Sequence, residues 1–579
     1  MKHLKISLFI ALVAAALLMN ASAAAFTAGT YDATAAGRNG DVTLHVTFSD
    51  DAITDITTEH EETPGVGLEA IDALIAQTLA AQAVPADAVT GATVSSTAYV
   101  TALSDAIAQA GGDPEALVGE DAPAAAEANE YDTEADLIVI GGGAAGMTAA
   151  VTAHDLGIDV ILLEKSGVLG GNTPAAANGV NAANAQVQLN DAQYVSVGAS
   201  VAGLVELQTQ NELARENLAR AFAENSGEVI DWLSDMGVEF SVDIQEDPRN
   251  PVQNYYMLKA EADGSTGITM TRAVQNALNE RGITVYTDMD ATELTTGPLG
   301  VVTGVIATDA NGQQVTFTGR AVLIATGGFG HNPELLAEAN PKLANATTDE
   351  IAPTSGEGLI MARAVGAKAV DLEHIQTFPV VMDGYGMVTP NKLPGGFGVS
   401  AVIVNKDAQR FTAEGFEIGD AILAQPDGAA YMLFREDQIA PDMQNIINAG
   451  YVASADTAKE LGEALGLDGN QLQATVDAYN ADVADGTDDA FGKQDPLPLE
   501  GKLYGFKYGV GAHYFMGGIL IDESCRVLNE NEEAITGLYA AGEVTGGFHG
   551  SQRIDGSGIG DSFTFGRIAG RSIADTLAE

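Results

Sequence analysis

Apolar and polar positions alternate at Val42, Leu44, Val46 and Phe48, the two-residue period of a strand with one buried face. Leu68 to Ala83 and Thr97 to Ala110 switch to helical spacing, so the first hundred residues predict a small α+β unit. From Gly112 to Tyr131 the chain is rich in Ala, Glu and Pro without apolar period, which predicts an inter-domain linker. Beyond it, Asp136 to Ile140 is a short apolar run, succeeded by glycines and an alanine-rich helical stretch. Strand, loop and helix in that order open a doubly wound α/β sheet. Val160 to Leu163 reads as the next strand, and glycine-rich breaks recur at Val322 to Gly328 and Leu538 to Glu543.

The N-terminus predicts a secretory signal over residues 1–25. Lys2, His3 and Lys5 are basic, Ile6 to Leu18 is apolar, and Ala21-Ser22-Ala23 offers small residues for cleavage. The apolar run is shorter than the ~20 residues that span a bilayer. The expectation is an exported, extracytoplasmic protein, in the periplasm or at the cell surface, that is soluble after cleavage.

Length and charge narrow the picture. A chain of 579 residues exceeds one compact core, so two or three domains are expected. With 26 Lys+Arg against 80 Asp+Glu the formal charge is −54, a surface that repels phosphate backbones and excludes nucleic acid as a partner. The single cysteine, Cys525, leaves no internal disulfide, no Cys-x-x-Cys-His haem attachment and no cysteine-ligated cluster. No metal site is read, so redox chemistry falls to an organic cofactor.

Gly141, Gly143 and Gly146 form G-x-G-x-x-G between a strand and a helix, and Glu164 ends the next strand about 20 residues on. Gly141 permits the turn, Gly143 lets a pyrophosphate approach the backbone, and Gly146 lets helix and strand pack closely. The helix N-terminus offers free N–H groups to the phosphates, and Glu164 is placed for the adenosine ribose.

Downstream stand Leu169-Gly-Gly-Asn172-Thr173, then Ala177-Asn178-Gly179, Ala325 to Phe329, Ser355 to Gly358, Met516 to Gly518, Ala540 to Gly547, His549 to Arg553 and Gly566 to Gly570. In this order the blocks resemble the FAD-dependent fumarate reductase, flavocytochrome c-like family from Asp132 to the end. The resemblance implies non-covalent FAD touched by Ala145, Glu164, Asn172, Thr173, Ala177, Asn178, Ala291, Glu357, Glu543, Gly558 and Ile559. Asp87 to Thr93 resembles the flavinylation motif of an FMN-binding domain, which implies covalent FMN on Thr93, attached by a flavin transferase. Glu62 and Thr63 resemble that domain's ring-binding turn. The fold expected is α/β: an FMN-binding α+β domain at 26–112, a linker at 113–131, a doubly wound FAD domain at 132–373 and 515–579, and an inserted α+β cap at 374–514.

The resemblance also implies a reduction of an activated C=C bond, with Arg553 as carboxylate clamp and His513 as a retained site histidine. Elsewhere the chain departs from the family. Phe378 stands where a carboxylate-binding histidine is expected, Leu393 to Phe397 replaces a Thr-Glu-x-x-Arg segment, and Tyr514 replaces a second histidine. No arginine comes after Arg410-Phe411 where the family's proton donor belongs. These losses lower positive charge and add aromatic surface, which suits a bulky acrylate better than fumarate. Tyr514 is the first candidate proton donor and Glu417 the second, with Tyr255, Tyr256 and Tyr385 also open; Tyr514 can equally be an aromatic packed on the flavin. The overall expectation is a terminal reductase of anaerobic respiration fed by a membrane-associated donor. The rival readings are a dehydrogenase of a steroid-like substrate and a non-enzymatic flavin carrier.

Overall fold

A computed structural model describes residues 26–37, 40–60, 62, 67–85, 93–114, 117, 129–176, 179–191, 201–246, 254–260, 265–388, 392–396, 398–415, 418–440, 443–486, 491–493 and 496–579. The signal segment, Thr63, Ala177, Asn178, Glu417, all of the flavinylation motif before Thr93 and much of the linker lie outside these residues. The chain divides into two compact units, one comprising Met1–Glu130 and Ser166–Val168 and the other Tyr131–Lys165 and Leu169–Glu579. Among the described residues no helix is long and apolar enough to cross a membrane.

The first unit is an antiparallel sheet of Gly29–Ala36, Asp41–Phe48 and Ile53–Glu59, with helices Gly67–Ala81 and Thr93–Gln109. The alternation read from sequence sits in the middle strand, where Val42, Leu44, Val46 and Phe48 are buried with Ile71, Leu74, Tyr99 and Leu103. Each such side chain contributes roughly 1.5–3 kcal/mol on burial. The second helix starts four residues before the expected Thr97, because its first turn carries small polar residues instead of the apolar stripe. Ser95 and Ser96 are buried there, and Ser95 donates to Glu62 at 2.6 Å.

The second unit is built on a six-stranded sheet ordered Arg526–Leu528, Ala534–Ala540, Ala321–Ile324, Leu137–Ile140, Val160–Leu163 and Thr284–Tyr286. All but the first strand run parallel, and the central ones are buried on both faces. Such strands read as continuous apolar runs rather than alternation. Helix Ala144–Asp155 packs beneath them and is crossed by the C-terminal helix Ser557–Ala578. The crossing is close because Gly566 and Gly570 face the backbone of Ala145 and Ala149, where a Cβ would come within 2.5 and 2.7 Å of carbonyl oxygens. An antiparallel sheet of Met289–Thr296, Val302–Asp309 and Gln314–Thr318, which no sequence pattern announced, adjoins the parallel one.

The chain leaves this unit's main core through Ile375–Met382 and returns through Leu503–Phe515. These two strands pair antiparallel, from Ile375 opposite Phe515 to Met382 opposite Tyr508, and extend into a cap sheet with Gly386–Met387, Ala429–Arg435, Val402–Val404 and Ala453–Ala455. The cap has its own cores around Met432, Phe434 and Phe506 and around Leu433, Leu461 and Leu472. Within it Glu414 is buried between Arg410 at 3.1 Å and Lys493 at 3.1 Å. Arg410 is therefore held in an internal ion pair of the cap.

Candidate active site

The glycine loop has the conformation its sequence requires. Gly141 lies at φ +107, in the region that favours glycine, and a Cβ on it would strike the carbonyl of Ala325. A Cβ on Gly146 would strike the carbonyl of Gly141, so the helix can begin directly against the strand. At Gly143 the nearest obstruction is 3.9 Å away, which leaves the backbone approachable. Buried Glu164 accepts the Gly142 N–H at 2.6 Å. Gly170 donates its N–H to Gly142 O at 2.9 Å, and Thr173 Oγ1 accepts the Ala144 N–H at 3.3 Å. A helix N-terminus whose backbone is approachable at Gly143, with a buried carboxylate beside it, fits the pyrophosphate and ribose of FAD.

Other expected cofactor residues gather round this loop. Ala145 is buried in the helix and Ala291 in strand Met289–Thr296. Glu357 opens helix Glu357–Ala364 and accepts from Lys165 at 2.6 Å. Burial pushes its carboxyl up, but the bonds from Lys165 and Ser355 outweigh that and hold it below the usual range. Asn172 turns away to a residue not singled out from sequence, donating to Glu350 at 3.1 Å while accepting the Ile351 N–H at 2.7 Å. Glu350 also accepts the Gly330 N–H at 2.7 Å. It interacts with Glu543, which accepts the Phe515 N–H at 3.1 Å. Burial, then Glu543's charge, raises Glu350 well above the usual carboxylate range, and burial lifts Glu543 to about 7.

Arg553 lies between this region and the cap strands. Its Nε donates to Gln376 Oε1 at 2.9 Å, its Nη2 reaches His513 Nε2 at 3.3 Å and Asp555 at 3.7 Å, and its guanidinium lies over the Tyr514 ring at 4.9 Å. Among the described residues nothing hydrogen-bonds Nη1. The strand register explains the convergence. Gln376 is opposite Tyr514, and the next paired residues are Thr377 and Ala512, so His513 is the extra residue of a bulge. A bulge re-aims one side chain, which lets adjacent residues of a strand reach the same guanidinium. Asp349 meets His513 Nδ1 at 2.7 Å, while Phe378 stacks on the same ring at 4.5 Å. Since Nδ1 must donate to the carboxylate, Nε2 of the neutral ring is free to accept from Arg553.

Tyr514 points its hydroxyl to Asp561 Oδ2 at 3.2 Å and to His549 Nε2 at 3.1 Å. Its ring, with the Arg553 stem, lies against Gly558, where a Cβ would come within 2.8 Å of Tyr514 Cε2. The neighbouring Ile559 is half-buried against the main core. Burial raises the phenol well above its ordinary value, and the charges of Asp561 and Glu543 add to this. Thus the structure brings Arg553, His513 and Tyr514 together. Sequence reading missed Asp349, Glu350, Gln376, His549 and Asp561; of these only His549 lies inside a resembling block, and Asp561 lies between two, His549 to Arg553 and Gly566 to Gly570.

Known proteins agree with the resemblance and with the fold class. The FAD binding domain family matches residues 136–559 and the FMN-binding domain family matches residues 37–108. Urocanate reductase of Eggerthella lenta is 31% identical over 582 residues, 96% of this chain and 93% of that protein. Fumarate reductase (cytochrome) of Shewanella frigidimarina is 31% identical over 452 residues, 77% of each. The open conformation of a flavocytochrome c3 fumarate reductase superposes with a TM-score of 0.70 at 28% identity, covering 80% of this chain and 84% of that one.

The Glu350–Glu543 pair makes stability depend on pH. Both carboxyls titrate above their unfolded values, so the stability they contribute is present at low pH and is lost as pH rises through about 7. Glu350→Gln keeps an acceptor for Gly330 and adds a donor for Glu543. Its thermal midpoint should exceed wild type by a few degrees at pH 8, with the gap closing towards pH 4.5. A variant that gains nothing at pH 8 contradicts the coupling.

Proposed function

This chain belongs to the FAD binding domain family, carries an FMN-binding domain ahead of it and is a flavin-dependent oxidoreductase; from that premise we propose that it reduces the C=C bond of an α,β-unsaturated monocarboxylate bearing a bulky aromatic group. The observation that carries the reading is the setting of Arg553. One guanidinium stands among Asp349, Asp555, Asp561 and Glu543, with Phe378 and Tyr514 as aromatic neighbours and a neutral His513.

FAD, when bound, supplies a hydride for the β-carbon. Arg553 binds the carboxylate through Nη1 and the remaining Nη2 hydrogen, a charge-assisted contact worth roughly 1.5–3 kcal/mol, and withdraws charge as it builds on the enoate. Gln376 and His513 fix the guanidinium plane, so little orientation is lost on binding. Tyr514 gives its hydroxyl proton to the α-carbon, since a phenol is far more acidic than the C–H bond being formed.

Electrons pass from FMN on Thr93 to FAD. Thr93 is the first residue of helix Thr93–Gln109, and the positive end of a helix favours a phosphoester at that position. A flavin transferase installs the FMN, the signal over 1–25 exports the chain, and a membrane-associated donor feeds it as a terminal reductase of anaerobic respiration.

Substrate choice tests the reading. A second carboxylate would be buried without a cation, costing several kcal/mol, whereas an aryl group gains ~1.5–3 kcal/mol against aromatic walls. Cinnamate should therefore exceed fumarate in kcat/KM by ~100-fold or more. Steady-state assays with reduced viologen decide it, and equal efficiency or a preference for fumarate overturns the reading.

Flavin attachment is checked separately. Denatured mature protein co-expressed with a flavin transferase should keep a fluorescent flavin, and Thr93→Ala should abolish it while FAD stays bound. Covalent flavin surviving in Thr93→Ala would move the attachment elsewhere.

A further inference from the structure

Removing the family's acid arginine leaves a chemical need as well as a gap. Each turnover puts a proton on carbon, and the group that gives it must be recharged. Tyr514 is half-buried, but its hydroxyl turns inward to two groups that are themselves buried, so a proton that recharges it passes through them. Its hydroxyl is one corner of a triangle whose other corners are His549 Nε2 at 3.1 Å and Asp561 Oδ2 at 3.2 Å, with 3.3 Å between those two. Both His549 and Asp561 are 2% exposed.

The hydrogen-bond inventory fixes how protons sit in this triangle. Asp561 Oδ2 can only accept while ionised, so the Tyr514 hydroxyl donates to it. His549 Nε2 faces that same oxygen and the phenol oxygen, so Nε2 carries the ring proton. This leaves Nδ1 as a bare lone pair, and Nδ1 has no hydrogen-bond partner among the described residues, nor has Asp561 Oδ1. Buried polar atoms are rarely left unsatisfied, and two such atoms at one spot point to a proton-conducting or water-holding role. Burial also holds His549 below its ordinary pKa, against the opposing pull of Asp561, so the ring rests neutral and able to accept. The charged or titratable groups around Tyr514 are Arg553, Asp561, Glu543 and His549.

We infer that His549, held by Asp561, is the proton relay that recharges Tyr514 from solvent. This rests on Tyr514 being the proton donor. After the Tyr514 O–H bond breaks and the α-C–H bond forms, His549 takes a solvent proton at Nδ1, and the resulting imidazolium, steadied by Asp561, gives its Nε2 proton to the phenolate. The neutral ring is then protonated on Nδ1, and exchange with water, gaining a proton at Nε2 and releasing the one on Nδ1, restores the resting tautomer. One solvent proton is consumed per turnover. Imidazole suits this step because it can accept at one nitrogen and donate from the other. Arg553 over the Tyr514 ring favours the transient phenolate.

The test separates the first turnover from later ones. Flavin-loaded protein is fully reduced, freed of reductant and mixed with cinnamate in a stopped-flow instrument, and steady-state rates are taken with reduced viologen. His549→Gln keeps a donor towards Tyr514 but cannot pass a proton on. It should oxidise in the first turnover within about threefold of wild type yet lose ~100-fold in steady-state kcat. Asp561→Asn should show the same split. Equal slowing of both phases, or no slowing, overturns the relay while leaving Tyr514 as donor intact. Tyr514→Phe should slow the first turnover itself, and if it does not, the donor assignment and the relay both fall. A readout independent of turnover comes from 15N-histidine NMR, where His549 should be neutral and protonated on Nε2; a proton on Nδ1 overturns the proposal.

Discussion

A largely buried cation needs acceptors, and Arg553, whose side chain is 10% exposed, sets the terms for the rest of this site. Its acceptors come from different parts of the chain. Gln376 lies on the strand leaving for the cap, His513 on the strand returning from it, and Asp555 just before the C-terminal helix. Satisfying one cation therefore ties the cap strands to the helix that crosses beneath the glycine loop. The close Gly566 and Gly570 crossing brings that helix, with Gly558 and Asp561 in its first turns, to the same place.

The same cation stands amid excess negative charge. Asp349 is spent on His513, Asp561 on Tyr514, and Glu543 on the Phe515 N–H and its pairing with Glu350. A site so composed attracts one carboxylate through one guanidinium and offers little to a second. Charge selectivity derives from what surrounds Arg553 as much as from Arg553. The Arg410–Glu414–Lys493 cluster makes the complementary point, because its cations are locked by a buried glutamate within the cap.

Much of this architecture was legible in the sequence. The glycine loop and Glu164 were readable because their spacing is imposed by backbone sterics and the length of a βαβ unit. The strands that leave for the cap and return from it, Ile375–Met382 and Leu503–Phe515, lie between the resembling blocks that end at Gly358 and resume at Met516. Asp349 and Glu350 were invisible because a run such as Thr347 to Glu350 looks like any solvated loop, and only folding puts it beside His513 and Asn172. The double approach of His513 and Tyr514 depends on a bulge, which leaves no mark in an apolar pattern. His549 and Asp561 stood inside or next to blocks already noticed, but their meeting at Tyr514 requires a helix, a turn and a strand to converge. The expectations for Thr63, Ala177, Asn178 and Glu417 concern positions outside the described residues.

The central claim is that a pre-oriented Arg553 is the anchor for one carboxylate, and kinetics of Arg553→Ala and Arg553→Lys with cinnamate test it most directly. With FAD content equal to wild type, Arg553→Ala should lose ~100-fold or more in kcat/KM through both a higher KM and a lower kcat. Arg553→Lys should recover only part of this, because a point charge cannot reproduce the planar fork held by Gln376 and His513. Near-wild-type kinetics in Arg553→Ala would contradict the account.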